Sequence, residues 1–233
     1  MPDIARIVIL TGAGISAESG LATFRGPCGL WEGERVEDIC TPQALARDPE
    51  KVHRFYDMRR AKLGEVAPNA AHVALARLER LWRGELLLVT QNVDDLHERG
   101  GCGQVLHMHG ELLSALCREC GAQQGWAGSL PPGSPCRQCG APALRPDIVF
   151  FGEVPYQMGR IERALRACDL FVSIGTSGAV YPAAGFVQTA NHVGARTLEL
   201  NLDPSGGSHY FDESRMGPAG DLVPVWVEEM LAL

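Results

Sequence analysis

Two cysteine pairs, Cys117-x2-Cys120 and Cys136-x2-Cys139, stand 15 residues apart, each followed by a glycine, Gly121 and Gly140. A two-residue spacer lets one tight turn present two sulfurs. Two such turns close a tetrahedral thiolate shell around Zn²⁺ and leave no position for substrate. The spacing predicts one structural zinc ion on Cys117, Cys120, Cys136 and Cys139; the competing reading is a pair of disulfides or redox motifs. Just upstream runs His107-Met108-His109-Gly110, two histidines alternating with an apolar residue as on a short strand. Imidazole, with an ordinary pKa of about 6.5, is the natural general base at physiological pH. His109 is the candidate, beside Gly110 and the cysteine module, and a satisfied structural histidine is the alternative for either ring.

Two further stretches carry chemistry. Gly12-Ala13-Gly14-Ile15-Ser16-Ala17 satisfies G-x-G-x-x-G/A directly after an apolar run. Backbone amides there can face a pyrophosphate. The acidic residue expected about 20 positions on, at the end of a second strand, is missing; the chain continues instead as the polar loop Glu18 to Gly26. That departure disfavours a common dehydrogenase. Thr90-Gln91-Asn92-Val93-Asp94-Asp95-Leu96-His97 places amides and carboxylates at the end of another apolar run, where open α/β sheets bind ligands. Helix capping by Asn92 or Asp94 is the competing explanation.

These groups must be positioned by the elements around them. Residues 6–11, 86–90, 170–176 and 196–201 are near-continuous apolar runs closed by polar residues or glycine, as buried parallel strands are. Helical periodicities span 70–82, 156–168 and 183–193. Their alternation predicts an α/β fold with a Rossmann-like doubly wound parallel sheet. Two stretches interrupt it and are expected to form a smaller inserted lobe: a helical module at 26–71 and a zinc ribbon at 113–145. The large lobe is then 1–25, 72–112 and 146–233, within a single unit of 1–233. At 233 residues, 45% hydrophobic and 21% charged, the composition is that of a globular protein. The first residues leave no room for a leader, and no run reaches the roughly 20 apolar residues of a membrane helix. A cytoplasmic chain with no membrane partner is expected. A net charge of −7 argues against nucleic acid as a partner, because that affinity rests on clustered Lys and Arg. Cys28, Cys40, Cys102 and Cys168 show no pairing pattern.

Taken together, Gly12-Ala13-Gly14-Ile15-Ser16, Thr23-Phe24-Arg25, Thr90-Gln91-Asn92-Val93-Asp94, His109-Gly110, the cysteine pairs, Arg145-Pro146-Asp147-Ile148-Val149-Phe150-Phe151-Gly152-Glu153, Gly175-Thr176-Ser177 and Asn201-Leu202 resemble the sirtuins, NAD-dependent protein lysine deacylases. The resemblance spans nearly the whole chain, and the short ends suggest a bacterial-type catalytic core alone. It implies that NAD⁺ lies across the strand ends, with pyrophosphate and ribose on Ala13, Gly14, Arg25, Thr176 and Ser177, and with Gly12, Glu18, Phe24 and Gly175 also on the nucleotide. Adenine is implied near Asn201, Leu202 and Ala219, and nicotinamide among Gln91, Asn92 and Asp94. The resemblance further implies that the acyl oxygen attacks the ribose, that His109 is the base on the ribose hydroxyls, and that nicotinamide, free lysine and an acylated ADP-ribose leave. Phe24, Val149 and Phe151 are implied around the acyl-lysine. Gly152, Glu153, Gly178 and Val180 are implied along the substrate backbone, as in edge-strand recognition.

Tyr56 and Arg59 share one face of a helical stretch at three-residue spacing. This Tyr-x-x-Arg resembles the signature of class III sirtuins, which prefer malonyl-, succinyl- or glutaryl-lysine. Guanidinium and phenol together hold a desolvated carboxylate; the bland reading is a solvated basic face with Arg54, Arg60 and Lys62. Desuccinylation with some deacetylation is therefore expected, in a chain that acts as a monomer. The alternative enzyme outcome is transfer of ADP-ribose to a protein nucleophile from the same NAD site.

Overall fold

Residues 4–23, 30–31 and 33–233 are described by a computed structural model. Phe24, Arg25 and Cys28 lie outside them. The strands are β1 (Arg6–Thr11), β2 (Leu30–Trp31), β3 (Glu34–Arg35), β4 (Glu85–Thr90), β5 (Val105–His107), β6 (Gly110–Cys117), β7 (Gln123–Gly125), β8 (Leu144–Ile148), β9 (Leu170–Ile174), β10 (Arg196–Asn201) and β11 (Glu213–Met216). The helices are α1 (Gly14–Ala17), α2 (Val36–Ile39), α3 (Pro42–Arg47), α4 (Pro49–Lys62), α5 (Ala70–Leu81), α6 (Leu96–Arg99), α7 (Met158–Leu165), α8 (Phe186–His192) and α9 (Ala219–Leu231).

Successive side chains of a strand face opposite ways, so a strand covered on both sides must be apolar throughout. In β1, Ile7 and Ile9 pack with Leu88, Val172, Leu75, Leu78 and Trp226 beneath α5 and α9. Val8 and Leu10 pack with Val89, Phe171, Ile161, Leu165 and Phe186 beneath α7 and α8. The resulting sheet is parallel throughout, in the order β11-β10-β9-β1-β4-β5. Strand β1 is flanked by β9 on one side and β4 on the other. The connections therefore diverge at its carboxyl end, which leaves a crevice there.

A second sheet, β7-β6-β8, is antiparallel. It carries a small core of Ala115, Cys117, Leu130, Cys136 and Leu144. Helix α4 begins where Asp48 accepts the Lys51 amide and Pro49 occupies the first turn. The helix is stapled to the cysteine module by buried polar groups. Arg60 Nε donates to the Leu112 carbonyl at 2.6 Å and its Nη1 to that of Gly128 at 3.0 Å. Asp57 accepts from Arg60, from the Leu130 amide and from the Ser129 hydroxyl. Between the two sheets Val52, Phe55, Tyr56, Ile39, Leu112, Ile148 and Phe150 form a further core.

The expected strands and helices occur within a few residues of their sequence positions; the 183–193 periodicity resolves into a 3₁₀ turn, Ala183–Gly185, followed by α8. Two expectations change. His109 is not on a strand: β5 ends at His107, and Gly110 starts β6 with φ of +85°. A Cβ on Gly110 would lie 2.0 Å from the Asp147 carbonyl oxygen, so the chain turns sharply there and swings His109 out of the strand. The carboxyl-terminal strand β11 and helix α9 went unanticipated, and α9 carries Pro224 in its interior. Among the described residues, no helix is long and apolar enough to cross a membrane.

Candidate active site

At the end of β1 the chain runs in backbone contact with the turn after β9. Gly12 N donates to the Ile174 carbonyl at 3.0 Å and Gly14 N to that of Gly175 at 2.8 Å. A Cβ on Gly14 would lie 2.7 Å from the Gly175 Cα and carbonyl oxygen. Glycine at 14 is thus required by the fold as well as by any ligand that approaches the backbone. Next to it, Gln91 Nε2 donates to Thr176 Oγ1 at 3.0 Å and Asn201 Nδ2 to the Thr176 carbonyl at 2.9 Å. These strand ends border a cavity of about 790 Å³, large enough for a dinucleotide and an acyl chain by the usual volumes of ligand sites.

A buried polar network backs this wall. Ser16 Oγ accepts from Asn92 Nδ2 at 3.2 Å, lies 3.5 Å from His72 Nε2, and donates to Asp94 Oδ2 at 3.1 Å. Asp94 Oδ1 accepts the Leu96 amide at 3.1 Å. Burial pushes the Asp94 carboxyl up, opposed by the Leu96 and Ser16 hydrogen bonds. Burial holds His72 down, to about 4. His97 is likewise lowered well below 6.5, chiefly by burial, and its Nε2 stands 2.9 Å from Thr11 Oγ1.

His109 also lines the cavity. Its Nδ1 lies 3.2 Å from the Gln91 carbonyl oxygen, and burial holds its pKa below 6.5. Further along, the cavity is lined by Arg59, Cys40, Val93, Ile148, Val149 and Phe151. Tyr56 is fully buried behind that wall, its ring edge-on to Phe55 and stacked on Phe150.

Of the residues singled out in the sequence, Gly12, Ala13, Gly14, Glu18, Gln91, Asn92, Asp94, His109, Gly175, Thr176, Ser177, Asn201, Leu202 and Ala219 line this one cavity. So do Arg59, Val149, Phe151, Gly152, Glu153 and Val180. Tyr56 and Gly178 do not line it. Glu18 also accepts the Gly220 amide at 2.6 Å, tying α9 to the rim. The polar residues of the 145–153 stretch serve the fold: Arg145 pairs with Glu153 at 2.9 Å, and Asp147 accepts from Tyr156 and Ser114. Cys40 and His72 were not picked out as site residues, because what brings them there is tertiary packing and no local motif marks it; Ser16 stood within the glycine motif but was given no role of its own.

The sulfurs of Cys117, Cys120, Cys136 and Cys139 lie within 4.8 Å of one another, with pairs at 3.7 and 3.8 Å. Four sulfurs about 2.3 Å from one tetrahedral ion stand about 3.8 Å apart, whereas a disulfide requires about 2.05 Å. The set fits a closed zinc site and excludes the two-disulfide reading.

A family model described as the Sir2 family matches residues 12–182. A relative from Caulobacter vibrioides named NAD-dependent protein deacylase is 53% identical, covering 100% of this chain and 99% of its own. One from Escherichia coli K12 with the same name is 53% identical over 97% of this chain and 82% of its own. Among solved structures, a Sir2 homologue in complex with NAD is 40% identical and superposes with a TM-score of 0.88 over 98% of this chain and 91% of that one. A Sir2 protein with deacetylated p53 peptide and 3′-O-acetyl ADP-ribose is 28% identical, with a TM-score of 0.84 over 98% and 95%. With the glycine turn, the Gln91–Asp94 wall, His109 and the thiolate shell all in one fold, the chain belongs to the Sir2 family.

Proposed function

We infer that the chain is an NAD-dependent protein deacylase that moves the acyl group of a modified lysine onto ADP-ribose and releases nicotinamide. The observation that carries this reading is the convergence of Gly14, Asn92, Asp94 and His109 on one cavity. The relatives' shared name and the acetyl ADP-ribose complex support it. NAD⁺, when bound, supplies the ribose carbon that accepts the acyl oxygen. The chain's own residues bind, orient and move protons. Ala13, Gly14, Gly175, Thr176 and Ser177 hold the phosphates and ribose, with Gly12, Glu18, Phe24 and Arg25 beside them; Asn201, Leu202 and Ala219 hold the adenine. Asn92 and Asp94, fixed by Ser16, orient the carboxamide, with Gln91 alongside. His109, neutral in its buried setting, takes a ribose hydroxyl proton at Nε2. Val149 and Phe151 flank the acyl-lysine. Gly152, Glu153, Gly178 and Val180 meet the substrate backbone.

The acyl group is proposed to carry a carboxylate. Arg59 is 9% exposed, and it lines the cavity. A guanidinium in so desolvated a wall is suited to an acidic acyl tip. Mass spectrometry of peptides bearing succinyl- or acetyl-lysine, with and without NAD⁺, tests both levels. The native chain is expected to remove both groups, and Arg59→Met to lose about 10–150-fold on succinyl while retaining acetyl removal. No NAD-dependent removal of either would overturn the deacylase reading. Acetyl removal alone would overturn the acyl assignment.

A further inference from the structure

The loop after β4 carries Gln91, Asn92 and Asp94 into the cavity, and three of its successive carbonyls are gripped from the β5–β6 side. His109 Nδ1 lies 3.2 Å from the Gln91 oxygen, His107 Nδ1 lies 3.0 Å from the Asn92 oxygen, and the Leu112 amide donates to the Val93 oxygen at 2.8 Å. Only the His109 ring lines the cavity. The other ring is turned away, its Nε2 2.8 Å from Glu98 Oε1 on α6. The His107 side chain is 7% exposed. Both of its partners, a carbonyl and a carboxylate, only accept, so both ring nitrogens must donate. A ring that donates from both nitrogens is an imidazolium.

We propose that His107 is a positioning residue for the reaction: anchored by Glu98, it clamps the Asn92 carbonyl and thereby fixes the backbone from which Asn92 and Asp94 reach the nicotinamide end of the cavity. The role of that end rests on the deacylase reading above. The charged groups around the ring agree with this state. Burial opposes its charge, but Glu98, by hydrogen bond and by field, with the Asn92 carbonyl and Glu111, outweighs burial and raises the His107 pKa. Asp94 also feels the ring as a favourable positive charge, and His97 feels it as an unfavourable one. Removing the clamp leaves a buried carbonyl without its donor and lets the loop drift, and only ligands that use the nicotinamide end should notice.

The test compares calorimetric affinities for NAD⁺ and for ADP-ribose in the zinc-loaded native chain, His107→Leu, His107→Asn and Glu98→Gln. Asparagine keeps a donor near the Nδ1 position, and leucine keeps the bulk without it. We expect leucine to weaken NAD⁺ about tenfold relative to ADP-ribose, asparagine to recover most of that ratio, and Glu98→Gln to fall between. Retained ADP-ribose binding shows that each variant is folded. Histidine-selective ¹⁵N NMR of the native chain at neutral pH should show one ring protonated on both nitrogens, lost in His107→Asn. A leucine variant with the native affinity ratio, equal impairment of leucine and asparagine, or a singly protonated His107 would each overturn the proposal. These readouts need no turnover. A native chain that binds NAD⁺ yet removes no acyl group would sink the functional reading while the affinity series still decided the role of His107.

Discussion

His109 Nδ1 donates its proton to the Gln91 carbonyl across 3.2 Å, and that single bond leaves Nε2 as the atom free to accept one from the cavity. Burial holds the ring's pKa below 6.5. The base must be neutral to work, so activity is lost as pH falls through that lowered value and is flat above it. A pH profile of kcat/KM should show an acid limb with its midpoint below 6.5, and His109→Ala should cost about 10²–10⁴-fold. A midpoint above neutrality would remove His109 from the role.

Gly14 has no room for a methyl group, since its Cβ would meet Gly175 backbone at 2.7 Å. Backbone atoms cannot rotate aside as a side-chain tip can. Gly14→Ala is expected to destabilise by about 1–3 kcal/mol and to weaken NAD⁺ binding as the two turns part. Thermal melts and NAD⁺ titration check this, and an unchanged melt with unchanged affinity would show that the contact yields freely.

Zinc removal should unfold the cysteine module. Its core is Ala115, Leu130 and Leu144 with two of the ligand cysteines, too small to stand without the metal, which contributes roughly 10–16 kcal/mol in small zinc-binding peptides. Because His53 Nδ1 and Asp57 hold Leu130 at 2.6 and 2.9 Å, the loss should spread to α4 and Arg59. Chelation followed by metal analysis and circular dichroism tests it; full activity in zinc-free protein would contradict it.

Acid should destabilise the chain through His72 and His97. His72 titrates at about 4 in the folded state and near 6.5 when unfolded, so below 6.5 the unfolded chain binds the extra proton. The stability it secures is complete above pH 6.5 and is lost as pH falls to about 4, by about 3 kcal/mol; His97 acts in the same direction. Urea unfolding between pH 7.5 and 4 should show that decline, reduced in His72→Gln.

The central strands were legible because burial on both faces forces unbroken apolar runs, as in β1 and β9. The helix α9 was hidden by Gly220 and Pro224, which break the pattern that the packing of Val223, Trp226 and Val227 restores. For Asp94 the sequence left binding and capping as rivals. In the fold one oxygen takes the Leu96 amide, the other takes Ser16, and the residue borders the cavity, so the capping role is met without removing it from the proposed site. The Ser16–His72 contact joins residues 56 apart in sequence, and no local pattern encodes that. The position of His109 turned on Gly110, whose φ of +85° is a conformation that glycine permits but does not announce.

Gly110 and Ile148 are direct partners across β6 and β8. The chain thus leaves for the cysteine module and comes back at the same spot, so the intervening stretch adds no strand to the main sheet. Among its ties to the rest are Leu112 to the Val93 carbonyl and to Arg60, and Gly128, Ser129 and Leu130 to α4. Changes in length around the cysteine turns that spare those anchors should leave the strand order around β1 and the loop after β4 in place.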